Sequence, residues 1–194
     1  MNSSMSSSKH TEIAQAAVRL FEQKGYRATS VQDIADAVGL QKGSLYHYIH
    51  SKEDLLMQIA HQAISEFNRT LEKINHENIS PQKKLAKMIE NHLTISAVNR
   101  EAITVLLRDA FALEETQHRT IIELTDKYTD LVTSILQEGQ QKGEFSVKHP
   151  KISALAILGA CNWLYRWYQT DGSLTVQQIS QIFADLFLNG LLSD

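Results

Sequence analysis

Residues 29–56 read TSVQDIADAVGLQKGSLYHYIHSKEDLL, and this stretch decides the fold of the N-terminal part of the chain. Ser30 and Asp33 have the spacing of a helix N-terminal capping box, in which each side chain bonds the other residue's backbone. Gly39 is a helix-ending residue, and a second short helical pattern follows at about 42–48. The stretch therefore predicts two short helices joined by a tight turn.

Helical patterns continue along the rest of the chain. Ser80 followed by Pro81 is typical of a helix start, and Thr175 with Gln178 repeats the capping-box spacing. No segment has a convincing strand pattern. We predict an all-α fold of nine helices, at about residues 9–24, 31–38, 42–48, 52–74, 81–96, 99–112, 115–142, 150–168 and 176–190.

The composition supports long helices and excludes several classes of protein. Of 194 residues only two are proline and eight are glycine, so residues that break helices are rare. The single cysteine, Cys161, excludes an intramolecular disulfide framework and an all-cysteine zinc or iron–sulfur site. No apolar run approaches the length of a membrane span, and the serine-rich start lacks the apolar core of a secretory signal. We expect a cytoplasmic protein.

The short helix at 42–48 has the size of an element that enters a DNA major groove. Its polar side chains are of types that bond bases and phosphates, and Gly43 permits close approach of another backbone. The net charge of the chain is −3, and residues 1–54 hold six basic and six acidic residues, so bulk charge gives no support for nucleic-acid binding. However, no acid lies between Gly39 and Ser51, so this edge is locally basic.

The stretch at 29–56, together with AAVRLFEQKGY at 16–26, resembles the DNA-binding head of TetR-family transcriptional regulators. One departure is Ile49, where the family commonly has Phe at a core position, and we expect altered packing there. The resemblance implies a homodimeric repressor that binds a palindromic double-stranded operator and is released by a small-molecule effector. We expect Gln41 and Lys42 to read bases. By position, the resemblance further implies DNA contacts at Thr29, Ser30, Lys42, Gly43, Ser44, Tyr46, His47 and Lys52.

The resemblance also suggests how the chain is divided. We expect a disordered lead at 1–8, a helix-turn-helix DNA-binding domain at 9–54, and an effector-binding and dimerisation domain at 55–194.

The last two helices are the most apolar part of the chain and are predicted to form the dimer interface. The apolar stripe of the final helix is too wide for a helix that covers only one side of a small domain. Two such helices from each subunit would make a four-helix interface. The alternative is that these residues form the core of one subunit. The interface candidates are Leu155, Trp167, Ile179, Ile182, Phe183, Leu186 and Phe187.

Polar side chains within apolar runs of the middle helices are the candidates for effector binding. Each has an alternative: His92 as an ordinary buried histidine, Arg108 as a partner of a carboxylate, and Trp163 as a packing residue. The segments AILGACNWLYRWY at 156–168 and FADLFLNGL at 183–191 resemble the C-terminal helices of TetR-family members that control fatty-acid and sterol degradation and respond to acyl-CoA thioesters. An acyl-CoA is therefore one candidate effector. The candidate effector-binding residues are His92, Arg108, Phe111, Asn162, Trp163 and Arg166.

Other functions are kept as alternatives. They are a regulator of an efflux gene that senses lipophilic ligands, a helical interaction protein with no role on DNA, and an activator with the same head. An enzyme is not expected, because the sequence has no Gly-rich phosphate loop, no G-x-S-x-G and no H-E-x-x-H. We also expect no cofactor and no metal, because His47 and His50 lack a third ligand nearby. Cys161 lies in an apolar run and is interpreted as a structural thiol.

Overall fold

The structure is a computed structural model, and it describes residues 2–109 and 115–189. Within these ranges it contains ten helical segments and no strand. They are α1 (Asn2–Lys24), α2 (Val31–Ala37), α3 (Lys42–Leu45), α4 (Lys52–His76), α5 (Pro81–Val98), α6 (Arg100–Asp109), α7 (Glu115–Gln141), α8 (Pro150–Asn162), α9 (Leu164–Trp167) and α10 (Val176–Asn189).

Several helices begin where the sequence predicts, because their caps are local. The side chains of Ser51, Ser80 and Thr175 each accept a hydrogen bond from the backbone N–H three residues on, at 2.9, 3.4 and 3.3 Å. Each bond satisfies one of the N–H groups that a helix start leaves without a partner. The predicted starts of α4, α5 and α10 are thereby confirmed.

The first helix starts earlier than predicted. The segment 1–8 was expected to be a disordered lead, whereas α1 begins at Asn2. The sequence between Asn2 and Lys9 contains neither proline nor glycine, so no helix-breaking residue prevents α1 from extending to Asn2.

Two predicted helices are interrupted by tighter turns. The N–H groups of His47 and Tyr48 donate to carbonyls three residues back, which ends α3 at Leu45 rather than at Tyr48. Likewise, the N–H of Arg166 donates to the carbonyl of Trp163 at 3.1 Å, which separates α8 from α9. Since α8 and α9 occupy one predicted helix, the described residues confirm the all-α, nine-helix architecture.

The chain forms two compact units. The head unit comprises Met1–Ala63 and Glu101–Ile121, and the body unit comprises Ile64–Arg100 and Ile122–Asp194. This division differs from the predicted boundary after residue 54, because the chain returns to the head unit after α5. Arg108 of α6 shows the reason, since its Nη2 donates to the carbonyl of Phe21 in α1 at 2.6 Å.

Each unit has its own apolar core. In the head unit Phe21, Ile34 and Leu45, from α1, α2 and α3, are fully buried. In the body unit α5 packs against α8, α9 and α10, and Leu85 and Leu93 of α5 are fully buried. Burial of such side chains stabilises each unit by about 1.5–3 kcal/mol per residue.

Two asparagines of α4 tie it to α7 within the body unit. Asn68 Nδ2 donates to the carbonyl of Leu124 at 3.1 Å, and Asn75 Nδ2 donates to the carbonyl of Leu131 at 3.2 Å. Both pairs are 56 residues apart in sequence, so α4 and α7 run in the same direction here. The two bonds fix the register between these helices.

Candidate DNA-binding surface and effector-binding layer

The start of α2 is built by local hydrogen bonds. Ser30 Oγ accepts from the N–H of Asp33 at 3.1 Å, and Asp33 Oδ2 accepts from the N–H of Ser30 at 2.8 Å, which completes the predicted capping box. Lys24 Nζ also lies 2.8 Å from Asp33 Oδ1. The hydrogen bond from Lys24 and those from Ser30 hold the pKa of Asp33 below its ordinary value.

Gly39 lies at the tight turn with a φ of +66°, a conformation that favours glycine. The N–H of the next residue, Leu40, reaches back to the carbonyl of Ala35 at 2.9 Å. This is the predicted helix–tight turn–helix geometry, and it places α3 at the protein surface.

The polar residues of α3 and its flanks are exposed. Gln41, Lys42, Gly43 and His47 are exposed, and Tyr46 is 46% exposed. These residues form the predicted reading surface, together with the half-buried Ser44. The arrangement leaves hydrogen-bonding groups free to meet base edges and phosphates.

Two residues beneath this surface hold it in place. Leu45 is fully buried and Ile49 is 2% exposed, so the core position predicted for Ile49 is confirmed. On the neighbouring side, the rings of Tyr48 and His10 meet edge to face at 5.2 Å between centroids. The reading surface is therefore anchored by apolar and ring contacts, although α3 itself is only four residues long.

Thr29 and Lys52 lie behind the surface rather than on it. Thr29 is 1% exposed, and its hydroxyl donates to the carbonyl of Gly25 at 2.9 Å. Lys52 Nζ donates to the carbonyls of Tyr26 and Thr29 at 2.9 and 2.8 Å, and lies 4.4 Å from the centre of the Tyr26 ring. These two side chains support the loop between α1 and α2, and their contacts with DNA stay a prediction.

Tyr26 and Glu53 complete this support, and the sequence reasoning missed them. The Tyr26 hydroxyl donates to Glu53 Oε1 at 3.0 Å. The pKa of Glu53 is lowered mainly by its own backbone N–H, and the hydroxyl of Tyr26 adds to this effect. A buried tyrosine directly after a helix-ending glycine, Gly25-Tyr26, was the available signal.

The body unit contains a chain of three polar side chains, which we call the polar layer: the buried His92 and Tyr128 and the half-buried Asn162. His92 Nε2 lies 3.1 Å from Asn162 Oδ1, and His92 Nδ1 lies 3.1 Å from the Tyr128 hydroxyl. Because the amide oxygen only accepts, the imidazole donates from Nε2 and accepts at Nδ1 from Tyr128. The ring of Phe67 covers His92 at 4.8 Å between centroids.

Burial keeps the polar layer neutral. Desolvation lowers the pKa of His92 from 6.5 to about 4, although its bond to Asn162 acts in the opposite direction. Desolvation also raises the pKa of Tyr128, and raises that of the nearby Cys161 thiol to about 12. The thiol is buried and protonated, in line with the structural role predicted for it.

The other effector candidates are placed differently. His92 and Asn162 are brought together by a direct hydrogen bond, whereas Arg108 belongs to the head unit and bonds α1. Trp163 and Arg166 are exposed, and Phe111 lies outside the described residues. The sequence reasoning missed Tyr128, whose signal was a lone aromatic within the polar run TDKYTD at 125–130.

Most of the predicted dimer residues are exposed. Leu155, Trp167, Ile182 and Leu186 are exposed, the last at 66%, and Phe183 and Phe187 are half-buried with rings 6.3 Å apart. Ile179 is the exception, since it is 4% exposed and belongs to the core of the protomer. Its face of α10 is the one that packs inside the body unit.

Across residues 2–109 and 115–189, no group of three His, Cys, Asp or Glu side chains is placed to hold a metal ion. None of the helices seen in those ranges is both long and apolar enough to span a bilayer.

Comparison with known proteins decides the family. A model described as "Bacterial regulatory proteins, tetR family" matches residues 13–59, and one described as "Tetracyclin repressor-like, C-terminal domain" matches residues 78–191. The chain belongs to the tetR family. It is a helix-turn-helix transcriptional regulator, and the predictions of fold class and family are confirmed.

Relatives of this tetR-family regulator are similar over nearly their whole length. The HTH-type transcriptional repressor KstR2 of Rhodococcus jostii (strain RHA1) is 28% identical over 96% of this chain and 93% of its own. The tetR-family regulator PfmR of Thermus thermophilus is 31% identical, with a TM-score of 0.86 over 91% of this chain and 97% of its own. AibR, in a structure with isovaleryl coenzyme A and operator DNA, is 26% identical, with a TM-score of 0.79 over 94% of this chain and 97% of its own.

Proposed function

We propose that this regulator is a homodimeric repressor, and that binding of a coenzyme A thioester releases it from its operator. The two heads of the dimer bind successive major grooves of a palindromic operator, as helix-turn-helix dimers do. The protein acts in the cytoplasm and has no catalytic role.

The observation that carries the DNA-binding part is the exposed row on and beside α3. Gln41, Lys42 and His47 extend from a surface whose supporting groups, Thr29 and Lys52, already have hydrogen-bond partners. Such a surface loses little conformational entropy when it meets DNA. Gln41 and Lys42 are proposed to read bases, while Ser30, Gly43, Ser44, Tyr46 and His47 position the sugar–phosphate backbone.

The neutral interior of the body unit supports a thioester as the effector. Among the described residues, Lys84 is the one buried charged side chain, and its Nζ lies 2.8 Å from Glu138 Oε2. A carboxylate or a cation that enters this interior would need a buried charge of opposite sign as its partner. An acyl chain needs none, because the charged phosphates of coenzyme A can stay near solvent. AibR, whose structure holds isovaleryl coenzyme A, supports the same class.

Fluorescence anisotropy with promoter DNA next to the protein's own gene tests the proposal. We expect specific binding that weakens as salt rises, and release of the DNA by one or more CoA thioesters. Free fatty acids and lipophilic cations serve as the competing classes. Release by a cation alone would overturn the proposed effector class and favour an efflux regulator.

A further inference from the structure

Ser96 is a buried hydroxyl without a partner. It is 3% exposed, and its Oγ makes no hydrogen bond to any described residue. It follows His92 by one helical turn on α5, so both side chains share a face of that helix. Buried hydroxyls are nearly always paired, because an unpaired one has lost its water without replacement.

A second unpartnered atom lies on the helix that faces His92. Asn68 is 5% exposed, and its Nδ2 donates to the carbonyls of Ile64 and Leu124, but its Oδ1 has no partner among the described residues. Its neighbour Phe67 is the residue whose ring covers His92. Helices α5 and α4, which both contribute to the surroundings of His92, thus hold one hydroxyl and one amide oxygen without a partner among the described residues.

Other buried hydroxyls of the body unit do not share this property. Ser180, also 3% exposed, donates from Oγ to the carbonyl of Gln177 at 2.8 Å. The hydroxyls of Thr129 and Thr133 donate to carbonyls of their own helix at 3.0 and 2.7 Å. Ser96 is therefore set apart from buried hydroxyls of equal exposure.

We propose that Ser96 determines specificity by donating a hydrogen bond to an oxygen atom on the acyl part of the effector. An acyl thioester that carries a keto or hydroxyl group then binds more tightly than the plain thioester of the same length. A hydroxyl group can in addition donate to Asn68 Oδ1, which a keto group cannot do. The inference rests on the proposed function, since it assigns the acyl part of the same thioester.

The test compares matched thioesters on matched variants. Dissociation constants are measured by calorimetry for the full-length wild type, Ser96→Ala and Ser180→Ala. The probes are decanoyl-CoA and its β-keto, β-hydroxy, ω-keto and ω-hydroxy derivatives. We expect at least one oxygenated form to bind the wild type about tenfold more tightly than decanoyl-CoA, and Ser96→Ala to lose that preference. Ser180→Ala, the control, keeps it.

Thermal unfolding without ligand gives a second, independent measurement. Because Ser96→Ala removes an unpaired hydroxyl, its midpoint stays unchanged or rises, whereas Ser180→Ala loses a satisfied bond and its midpoint falls. Equal falls in the two variants overturn the inference, since Ser96 would then be paired. Thioesters that bind without any preference for oxygen overturn the inference alone. If no thioester binds, the proposed effector class is wrong and the inference fails with it.

Discussion

The head unit and the body unit differ in how completely their inward-facing polar groups are paired. Behind the reading surface, the Thr29 hydroxyl, the Lys52 ammonium and the Tyr26 hydroxyl all have partners within the protein. In the body unit, Ser96 Oγ and Asn68 Oδ1 have none among the described residues. A DNA-binding surface that is already rigid loses less conformational entropy on binding. An interior that admits a small ligand can instead use its unpaired polar groups to form hydrogen bonds with that ligand.

The largest expected effect comes from splitting the dimer through the body unit, with the head unit left intact. Changing the exposed Ile182 and Leu186 of α10 to Glu places charges on the predicted interface. We expect monomers in sedimentation velocity and a loss of operator affinity of at least about 100-fold, because the two heads no longer act together. Val98→Glu is the control, since Val98 is 78% exposed on α5 and outside the predicted interface. A variant that still sediments as a dimer would place the interface elsewhere.

The next effect belongs to the reading surface alone. Lys42→Ala with Tyr46→Ala removes two exposed side chains, so we expect operator affinity to fall about 100-fold. The thermal midpoint should not change, because neither side chain belongs to the core. Anisotropy and circular dichroism measure the two quantities, and Lys148→Ala serves as an exposed control in the body unit. Unchanged affinity would remove α3 from the DNA interface.

Acid is expected to destabilise the two units in different pH ranges. Burial lowers the pKa of His92 from 6.5 to about 4. Between these two pH values the unfolded chain binds a proton at His92 that the native chain does not bind. The titration of His92 therefore does not affect the free energy of unfolding above pH 6.5, and it lowers that free energy by roughly 3 kcal/mol as the pH falls toward 4. Asp33 of the head unit, whose pKa is lowered, loses its contribution only as the pH falls below its ordinary value of 3.8.

Urea unfolding at about pH 7 and about pH 4.5 measures the His92 effect. His92→Gln should unfold with less difference between the two conditions than the wild type does. If the variant keeps the whole difference, the titration belongs to another group and the polar layer is not the acid-sensitive part of the body unit.

Two lysines of the head unit separate support from contact. Lys52→Met removes both bonds to the loop carbonyls, so we expect a loss of about 2 kcal/mol in the free energy of unfolding. Lys42→Met should leave that free energy unchanged and still weaken operator binding, because Lys42 is exposed. Chemical unfolding with anisotropy distinguishes them. If the two variants were equally stable, Lys52 would not support the loop, and a direct contact with DNA would be favoured instead.

The smallest effect is expected at Gly43. A Cβ added there meets no atom of the protein within 4 Å, and replacing glycine by alanine within a helix stabilises by about 0.5–1 kcal/mol. Gly43→Ala should therefore fold as well as the wild type or better, yet bind operator more weakly because DNA approaches there. Undiminished affinity would show that the glycine is not needed for close approach.

Features that depend on neighbouring residues could be predicted from the sequence, and features that depend on distant ones could not. The caps at Ser30, Ser51 and Thr175 lie within three residues of their partners, so spacing alone indicates them. Lys52 was expected on the surface because its partners, the carbonyls of Tyr26 and Thr29, lie 26 and 23 residues away.

The polar layer shows the same limit. His92 and Asn162 were each proposed from a polar residue in an apolar run, but their bond spans 70 residues and no local pattern links them. Tyr128 stands in a polar run, so only its partner His92, on another helix, shows why it is buried.

The paired ties between α4 and α7 restrict how the length of this chain can change. Asn68 and Asn75 are seven residues apart, as are Leu124 and Leu131, whose carbonyls accept the two bonds. Inserting or deleting one residue between the ties on either helix would break one bond and rotate the following side chains by about 100°. Insertions and deletions among homologues should therefore occur in the connection at 77–80 and leave the lengths of these two stretches unchanged.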